Sequence, residues 1–257
     1  MPRAINPQTR NRYTRAFGWI PASAEVILDL GCGDGRFIGW ISGEGIGTRW
    51  YGCDVDPQAI EDAKQAYPHV HFNVVVPSQG LPYEDACFDV VVMLGVLEYV
   101  PDELETIREI ARVLKPGGTL ILSVAHKGAM SWIPGNLRQR ISWRYGNRRE
   151  GEVRITEAHR QKLQDIANRH PSTRHFQRNL LNRHYSPKDL SRITEPYFQG
   201  MEWQRFGVLV PVWNTMNYMA VALIKRESRL VSALWKWDQA IELGPLSFYV
   251  IIKAIRR

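Results

Sequence analysis

The chain has 257 residues, of which 44% are hydrophobic and 23% charged, and its formal net charge is +7. This length predicts one substantial core with a smaller cap or insertion, and it excludes two large domains. The three cysteines have no disulfide-like spacing, and the first residues lack the apolar core of a secretion signal. No apolar run is long enough to span a membrane. We therefore expect a cytoplasmic protein.

The first strand of the chain runs into a glycine turn. Residues 26–37 read VILDLGCGDGRF, an apolar run that contains Asp29. Three glycines follow at alternate positions: Gly31, Gly33 and Gly35. The pattern predicts a buried strand over 26–30, a tight turn, and a helix that ends at about Gly43. Glycine is needed in such a turn because the backbone takes positive φ values and a ligand approaches where a Cβ would clash.

A second acidic strand end follows this turn. The predicted strand over 50–53 leads into Asp54, a carboxylate that can accept hydrogen bonds from both hydroxyls of a ribose. Asp56 and Pro57 then supply the N-cap and the first residue of a helix that ends at about Tyr67. The glycine turn and Asp54 together indicate a nucleoside-bearing cofactor.

The rest of the chain alternates strands and helices, which favours a parallel sheet with helices on both faces. We predict strands near 70–76 and over 89–94, 119–124 and 201–210, and candidates for the last strand at 246–254 and 218–224. One helix begins after Asp102, with Glu105 as its capping-box partner, and ends at 115–118. A shorter helix begins after Ser186, with Pro187 at its first position.

The glycine turn, G-C-G-D-G preceded by Asp29, resembles the first motif of the class I S-adenosylmethionine-dependent methyltransferases. Residues 88–102 (FDVVVMLGVLEYVPD) resemble the fourth-strand motif of that family, and residues 114–123 (LKPGGTLILS) resemble its turn into the fifth strand. The resemblance implies a Rossmann-like α/β fold: a seven-stranded, mostly parallel sheet with helices on both faces and an antiparallel last strand. It also implies S-adenosyl-L-methionine as methyl donor, S-adenosyl-L-homocysteine as product, and an enzyme of the EC 2.1.1 class.

The resemblance further implies a set of cofactor-binding residues at the ends of the strands. They are Tyr13, Asp29, Gly31, Cys32, Gly33, Asp54, Val55, Ser78, Gln79, Leu94 and Gly95. Ser78 and Gln79 are included as neighbours of the adenine because this chain has Pro77-Ser78-Gln79 where family members show an acidic residue. Either a side-chain amide or backbone group replaces that contact, or the cofactor is bound more weakly. Tyr13, or an arginine of the same segment, would meet the cofactor carboxylate; alternatively the segment is only a basic surface packed by its aromatic residues.

Residues 127–183 break the alternation and hold most of the positive charge. They contain 13 Lys or Arg and four Asp or Glu, a net charge of +9 that leaves −2 for the remainder of the chain. We therefore divide the chain into an N-terminal helical segment over the cofactor site (1–24), a methyltransferase core (25–126 and 184–257) and a basic helical cap (127–183). Such a cap suits an anionic acceptor, although a solvated basic surface without a ligand is the alternative.

Methyl transfer to an oxygen needs a base near the bound hydroxyl. His126 is the first candidate because it follows the fifth strand. His184 and Tyr185, which directly follow the predicted cap, are the next candidates. Family members often carry histidine where this chain has Tyr99, which would shape the pocket wall or act in catalysis. No set of His, Cys and carboxylate residues has metal-ligand spacing, so no metal is expected.

The sequence favours O-methylation of a small, anionic or lipid- or sugar-linked acceptor. Two alternatives stay open: an RNA methyltransferase that grips its substrate with the basic insertion, and a non-catalytic protein that retains the fold. Residues 211–240 are rich in tryptophan and methionine. They form either an amphipathic helix for peripheral membrane contact or ordinary core or dimer surface. The oligomeric state is not predicted.

Overall fold

The computed structural model describes residues 7–76, 79–100, 102–126, 184–206, 247 and 249–257, with only the backbone of 7–11. Ser78, the predicted cap over 127–183, the amphipathic stretch 211–240 and the rival last strand 218–224 all lie outside the described residues. The statements below concern the described part of the chain.

Five helices and seven strands alternate along that part. The helices are α1 (Pro7–Phe17), α2 (Arg36–Ile41), α3 (Pro57–Ala66), α4 (Glu103–Val113) and α5 (Pro187–Thr194), and a 3-10 turn spans Leu97–Tyr99. The strands are β1 (Val26–Leu30), β2 (Arg49–Asp54), β3 (His71–Val74), β4 (Phe88–Leu94), β5 (Leu114–Ala125), β6 (Phe198–Phe206) and β7 (Tyr249–Arg256).

The seven strands form one sheet in the order β3-β2-β1-β4-β5-β7-β6. The first five strands are mutually parallel, whereas β7 is antiparallel to both of its neighbours, β5 and β6. The predicted Rossmann-like fold class with an antiparallel last strand is therefore confirmed. The carboxyl ends of the parallel strands meet at one edge, which is where ligands bind in open α/β sheets.

The central strands are buried along most of their length because both sheet faces are covered. Every residue of β1 is buried, Asp29 included, and Val90, Val91, Val92 and Met93 of β4 are completely buried. One face packs against α1, α2 and α3, and the other packs against α4 and α5. Strands buried on both faces are typical of parallel sheets in α/β folds.

Side-chain caps fix where three of the helices begin. The Asp56 carboxylate accepts hydrogen bonds from the backbone N–H of Gln58 and Ala59, and Ser186 forms a reciprocal capping box with Asp189. Asp102 accepts a hydrogen bond from the backbone N–H of Glu105, as predicted. The carboxylate of Glu105, however, pairs with Arg108 at 2.6 Å, one helical turn further on, instead of completing a box.

Two predicted boundaries are wrong. Helix α4 ends at Val113, not at 115–118, because Leu114 pairs with Phe88 and already belongs to β5. The register between β4 and β5 then shifts, so that the Lys-Pro-Gly-Gly segment lies in a bulge before Thr119. Strand β6 begins at Phe198, three residues earlier than predicted, where it pairs with Arg256 of β7.

Candidate active site

The loop after β1 is tied to the end of β2 by backbone and side-chain hydrogen bonds. The N–H groups of Gly31 and Cys32 both donate to the Cys53 carbonyl, at 2.7 and 3.0 Å. One Asp54 carboxylate oxygen accepts from the Gly33 N–H at 2.8 Å, and the other accepts from the Asp56 N–H at 3.0 Å. Asp54 thus holds the glycine turn in place, a role beyond the predicted one of ribose ligand.

Two glycines of the turn are required for different reasons. Gly31 has φ +79°, and a Cβ there would overlap the methyl groups of Val96 from the loop after β4. Gly33 has φ +54°, and a Cβ there would meet no protein atom within 4 Å. The first glycine allows two parts of the protein to pack, whereas the second leaves an open approach to the backbone. An open approach at this position is what a nucleoside cofactor requires.

Asp29 is a buried carboxyl group directly beneath this turn, with only 3% of its surface exposed. Burial, and secondarily the negative charge of Asp54, raises its pKa from 3.8 to about 8. A carboxyl in this state holds a proton at neutral pH and gives it up when a cation arrives. The sulfonium and ammonium groups of S-adenosylmethionine are cations of the kind that would match it.

Helix α1 places two side chains near the same edge of the sheet. The Tyr13 ring lies 5.0 Å from the Phe37 ring, and burial, followed by the charge of Asp29, raises the pKa of its phenol. The Arg12 guanidinium lies 5.2 Å above the Tyr249 ring and occupies the space over Gly95, where a Cβ would overlap it. Both the predicted tyrosine and an arginine of the same helix are therefore at the site.

The other predicted cofactor residues sit at strand ends along this edge. Val55 follows Asp54 with 40% of its surface exposed, so its side chain has a face available for an aromatic base. Gln79 is exposed, Leu94 is half-buried, and Cys32 is buried, where burial raises the pKa of its thiol. The cofactor contacts of these residues stay predictions.

His126 directly follows β5 and is 4% exposed. Its Nδ1 lies 3.1 Å from the Ser247 carbonyl, an acceptor, so the Nδ1–H donates and the neutral ring carries its lone pair on Nε2. Burial, then the positive charge of Arg205 and the proximity of His184, lower the pKa of the imidazole. A histidine in this state is neutral and able to accept a proton at neutral pH.

The two other predicted catalytic residues lie beside His126. Tyr185 forms a parallel bridge with His126, and His184 is the half-buried residue that precedes it. The Tyr185 hydroxyl donates to Glu103 at 2.7 Å and lies 3.4 Å from the Leu97 carbonyl. The structure thus brings the three residues together, but the Tyr185 hydroxyl connects α4 to the segment that precedes α5.

Sequence reasoning missed Glu98, whose only signal was its position in the loop after β4. One carboxylate oxygen accepts from the Ala125 N–H at 2.7 Å, which fixes the strand end that carries His126. The other oxygen is buried without a partner. Burial raises the pKa of this carboxyl, while the nearby Arg12 counteracts the increase.

Five buried side-chain atoms of the described residues lack a hydrogen-bond partner, and they are unevenly distributed. They are Arg12 Nε, Glu98 Oε2, Ser123 Oγ, Arg205 Nε and Ser247 Oγ. All five belong to residues that lie at or next to the cofactor edge, from the end of β4 to the adjoining ends of β6 and β7. Buried polar groups in folded proteins nearly always have partners, so these five atoms are candidates for contact with a bound molecule or water.

Within the described ranges, no group of three or more His, Cys, Asp or Glu residues could hold a metal ion. None of the described helices has the length and apolar composition needed to span a membrane.

The fold and the glycine turn define a class I methyltransferase architecture. Residues 28–122 match the family model described as "Methyltransferase domain". This part of the chain is therefore similar to methyltransferase domains, the family that the sequence motifs predict. This stretch contains the glycine turn, Asp54 and the loop after β4.

Proteins similar to this chain include O-methyltransferases. The chain is 30% identical over 135 residues to a ubiquinone biosynthesis O-methyltransferase from Thiobacillus denitrificans, covering 50% of this chain and 55% of that protein. It is 31% identical over 121 residues to an O-methyltransferase from Penicillium expansum, covering 44% and 43% of the two. The chain thus spans about half the length of the relatives it matches.

Among solved structures, the fold resembles phosphoethanolamine N-methyltransferase 2 of Haemonchus contortus in complex with S-adenosyl-L-methionine. The TM-score is 0.60 at 14% identity, covering 99% of this chain and 54% of that one. At this identity the likeness concerns the fold.

Proposed function

We propose that this protein transfers a methyl group from S-adenosylmethionine to a hydroxyl of a small, anionic acceptor. The observation that carries the proposal is the glycine turn, open above Gly33 and tied by Asp54 to β2, in a domain of the methyltransferase family. When bound, S-adenosylmethionine supplies an electrophilic methyl group on a positively charged sulfur.

The residues at the strand ends fit such a cofactor. Asp54 lies where β2 ends and retains lone pairs for ribose hydroxyls beyond the two backbone bonds it already accepts. Val55 offers its exposed side chain to the face of the adenine. Asp29, once ionised, balances the positive charge of the amino-acid part, and Tyr13 or Arg12 binds its carboxylate. Gln79 replaces the acidic residue that family members direct at the adenine.

His126 is the base in this proposal. His126 Nε2 would accept the proton of the acceptor hydroxyl, and the Ser247 carbonyl keeps the ring in the tautomer that can accept it. S-adenosylmethionine would supply the methyl group, whose bond to sulfur is replaced by a bond to the acceptor oxygen, and would leave as S-adenosylhomocysteine. The lowered pKa of the imidazole keeps it unprotonated at pH 7. His184 lies beside it as the second candidate. The remaining work is positioning and exclusion of water, which are the main demands of an in-line displacement.

Two observations support oxygen as the methylated atom and an anion as the acceptor. The relatives that carry a descriptive name include O-methyltransferases. Arg205, whose charge acts on His126, has a buried Nε without a partner. The predicted basic cap over 127–183 would add to the attraction of an anionic acceptor.

Calorimetric titration with S-adenosylmethionine and S-adenosylhomocysteine tests the cofactor, with NAD as the unrelated ligand. We expect micromolar binding of both adenosyl ligands, none of NAD, and binding at least about tenfold weaker in Asp54→Asn, which loses a charged acceptor. Asp56→Asn is the matched control: it changes a carboxylate two residues away that caps α3, a position where Asn serves equally well. Absence of adenosyl binding would refute the proposal.

Transfer itself is measured with S-adenosylmethionine labelled in the methyl group and a panel of hydroxy acids and their neutral esters. We expect label in the acids, and loss of transfer in His126→Gln with unchanged cofactor affinity. Cofactor binding without transfer to any acid, ester or RNA would favour the non-catalytic alternative.

A further inference from the structure

Arg205 and His126 lie on the same face of the sheet although they are distant in sequence. Val124 pairs with Val250 across β5 and β7, and Val250 pairs with Arg205 across β7 and β6. Directly opposite residues point to the same face, and His126 is two residues beyond Val124, so its side chain lies on that face too. In keeping with this placement, the positive charge of Arg205 contributes to the lowered pKa of the His126 ring.

Ser247, two residues before β7, also contacts His126. Its carbonyl accepts the His126 Nδ1–H, and the residue is completely buried. Its hydroxyl nevertheless has no hydrogen-bond partner, and neither has the buried Nε of Arg205. The Arg205 guanidinium lies 4.5 Å over the Trp203 ring, a contact that does not use the Nε–H.

We propose that Arg205 Nε and Ser247 Oγ form an anion subsite, which binds a carboxylate or phosphate of the acceptor beside His126. The inference deepens the proposed function, on which it rests, by placing the anionic group on the acceptor close to the methylated hydroxyl. A buried guanidinium N–H and a buried hydroxyl without partners are costly in the free protein. An oxyanion would satisfy both at once, since Arg presents donors in a planar fork that matches two oxygens of such a group.

The geometry also restricts the acceptor. Because both residues adjoin His126, we expect the anionic group and the reacting hydroxyl to belong to one compact molecule, a few bonds apart. The exposed ring of Trp203, outside the stacked guanidinium, offers an apolar surface to the rest of that molecule.

The test uses nuclear magnetic resonance of the full-length protein labelled with ¹⁵N-histidine, with the His126 signal assigned by its loss in His126→Gln. The probes are benzoate, phenyl phosphate and the neutral benzamide, each titrated with and without S-adenosylhomocysteine. We expect one or both anions to shift the His126 signal and benzamide to leave it unchanged. Whichever anion binds more tightly identifies the group as carboxylate or phosphate.

Variants locate the binding. We expect Arg205→Gln to weaken anion binding by about tenfold or more, and Ser247→Ala to weaken it several-fold. Arg205→Lys keeps the charge without the fork and should fall between Arg205→Gln and the unaltered protein. Arg49→Gln is the control, because Arg49 is exposed at the start of β2, at the opposite edge of the sheet; it should bind as the unaltered protein does.

The proposal is overturned if neither anion shifts the signal, if benzamide shifts it equally, or if Arg205→Gln and Ser247→Ala bind the anions unchanged. Should Arg205→Gln fail to fold, Arg205→Lys and Ser247→Ala decide by the same criterion. Because the titrations without S-adenosylhomocysteine do not depend on the cofactor, a failure of cofactor binding counts against the proposed function and leaves the anion subsite to be judged separately.

Discussion

The protonation of Asp29 yields a prediction that can be worked quantitatively. With a pKa of about 8, the carboxyl is about nine-tenths protonated in the free protein at pH 7. An ammonium group beside it requires the ionised form. Cofactor binding at pH 7 should therefore release about 0.9 proton per site. Removing this proton should make the binding free energy less favourable by about 1.4 kcal/mol. Between pH 5.5 and 7 the association constant should rise by nearly tenfold per pH unit.

Calorimetry of S-adenosylhomocysteine binding in two buffers of different ionisation enthalpy measures the released proton directly. The interval below pH 7 is chosen because the ligand's own α-amino group stays protonated there. Asp29→Asn keeps the shape of the side chain but cannot ionise, so its proton release and its pH slope should both vanish. Equal proton release in Asp29→Asn and in the unaltered protein would refute the reasoning.

Protonation of Asp29 weakens cofactor binding, but it stabilises the free protein. Because the folded-state pKa is raised, the folded chain binds this proton more tightly than the unfolded chain does. The contribution to stability is fully present below pH 3.8 and is lost as the pH rises towards 8. Asp29→Asn should therefore gain stability relative to the unaltered protein as the pH rises from 4 to 9, which urea denaturation at the two pH values measures.

Two further predictions concern the turn and the strand that supports it. Gly31→Ala should destabilise the fold by more than about 2 kcal/mol, because its Cβ would overlap Val96 in a left-handed backbone, whereas Gly33→Ala should cost only about 1–2 kcal/mol yet abolish cofactor binding. Equal stabilities of the two variants would contradict this division. Asp89 pairs with Lys115 at 2.7 Å and accepts two backbone N–H bonds, which outweigh burial and lower its pKa. Asp89→Asn should lose about 1–2 kcal/mol at pH 7, and the deficit should shrink as the pH falls below 3.8 and Asp89 itself becomes protonated.

Local sequence was sufficient to predict the part of the candidate site that lies at the ends of β1 and β2. Asp29, the glycines and Asp54 are each within a few residues of the strand that places them, and strand ends are marked by apolar runs and turn residues. The fold class followed from the same alternation together with three family motifs. What local sequence could not show is that the Asp54 carboxylate also binds the Gly33 N–H at 2.8 Å, 21 residues away.

The acceptor side was less predictable because its residues meet only through strand register. Arg205 is separated from His126 by 79 positions, and the two approach each other because β7 lies between β5 and β6 and is antiparallel to both. A shift of one residue in that register would turn Arg205 to the opposite face of the sheet. Neither Arg205 nor Ser247 lies in a motif of the methyltransferase family, and a serine or arginine near a strand end carries no signal of its own. The proposed cofactor half of the site is thus determined by local motifs, and the proposed acceptor half by the pairing of three distant strands.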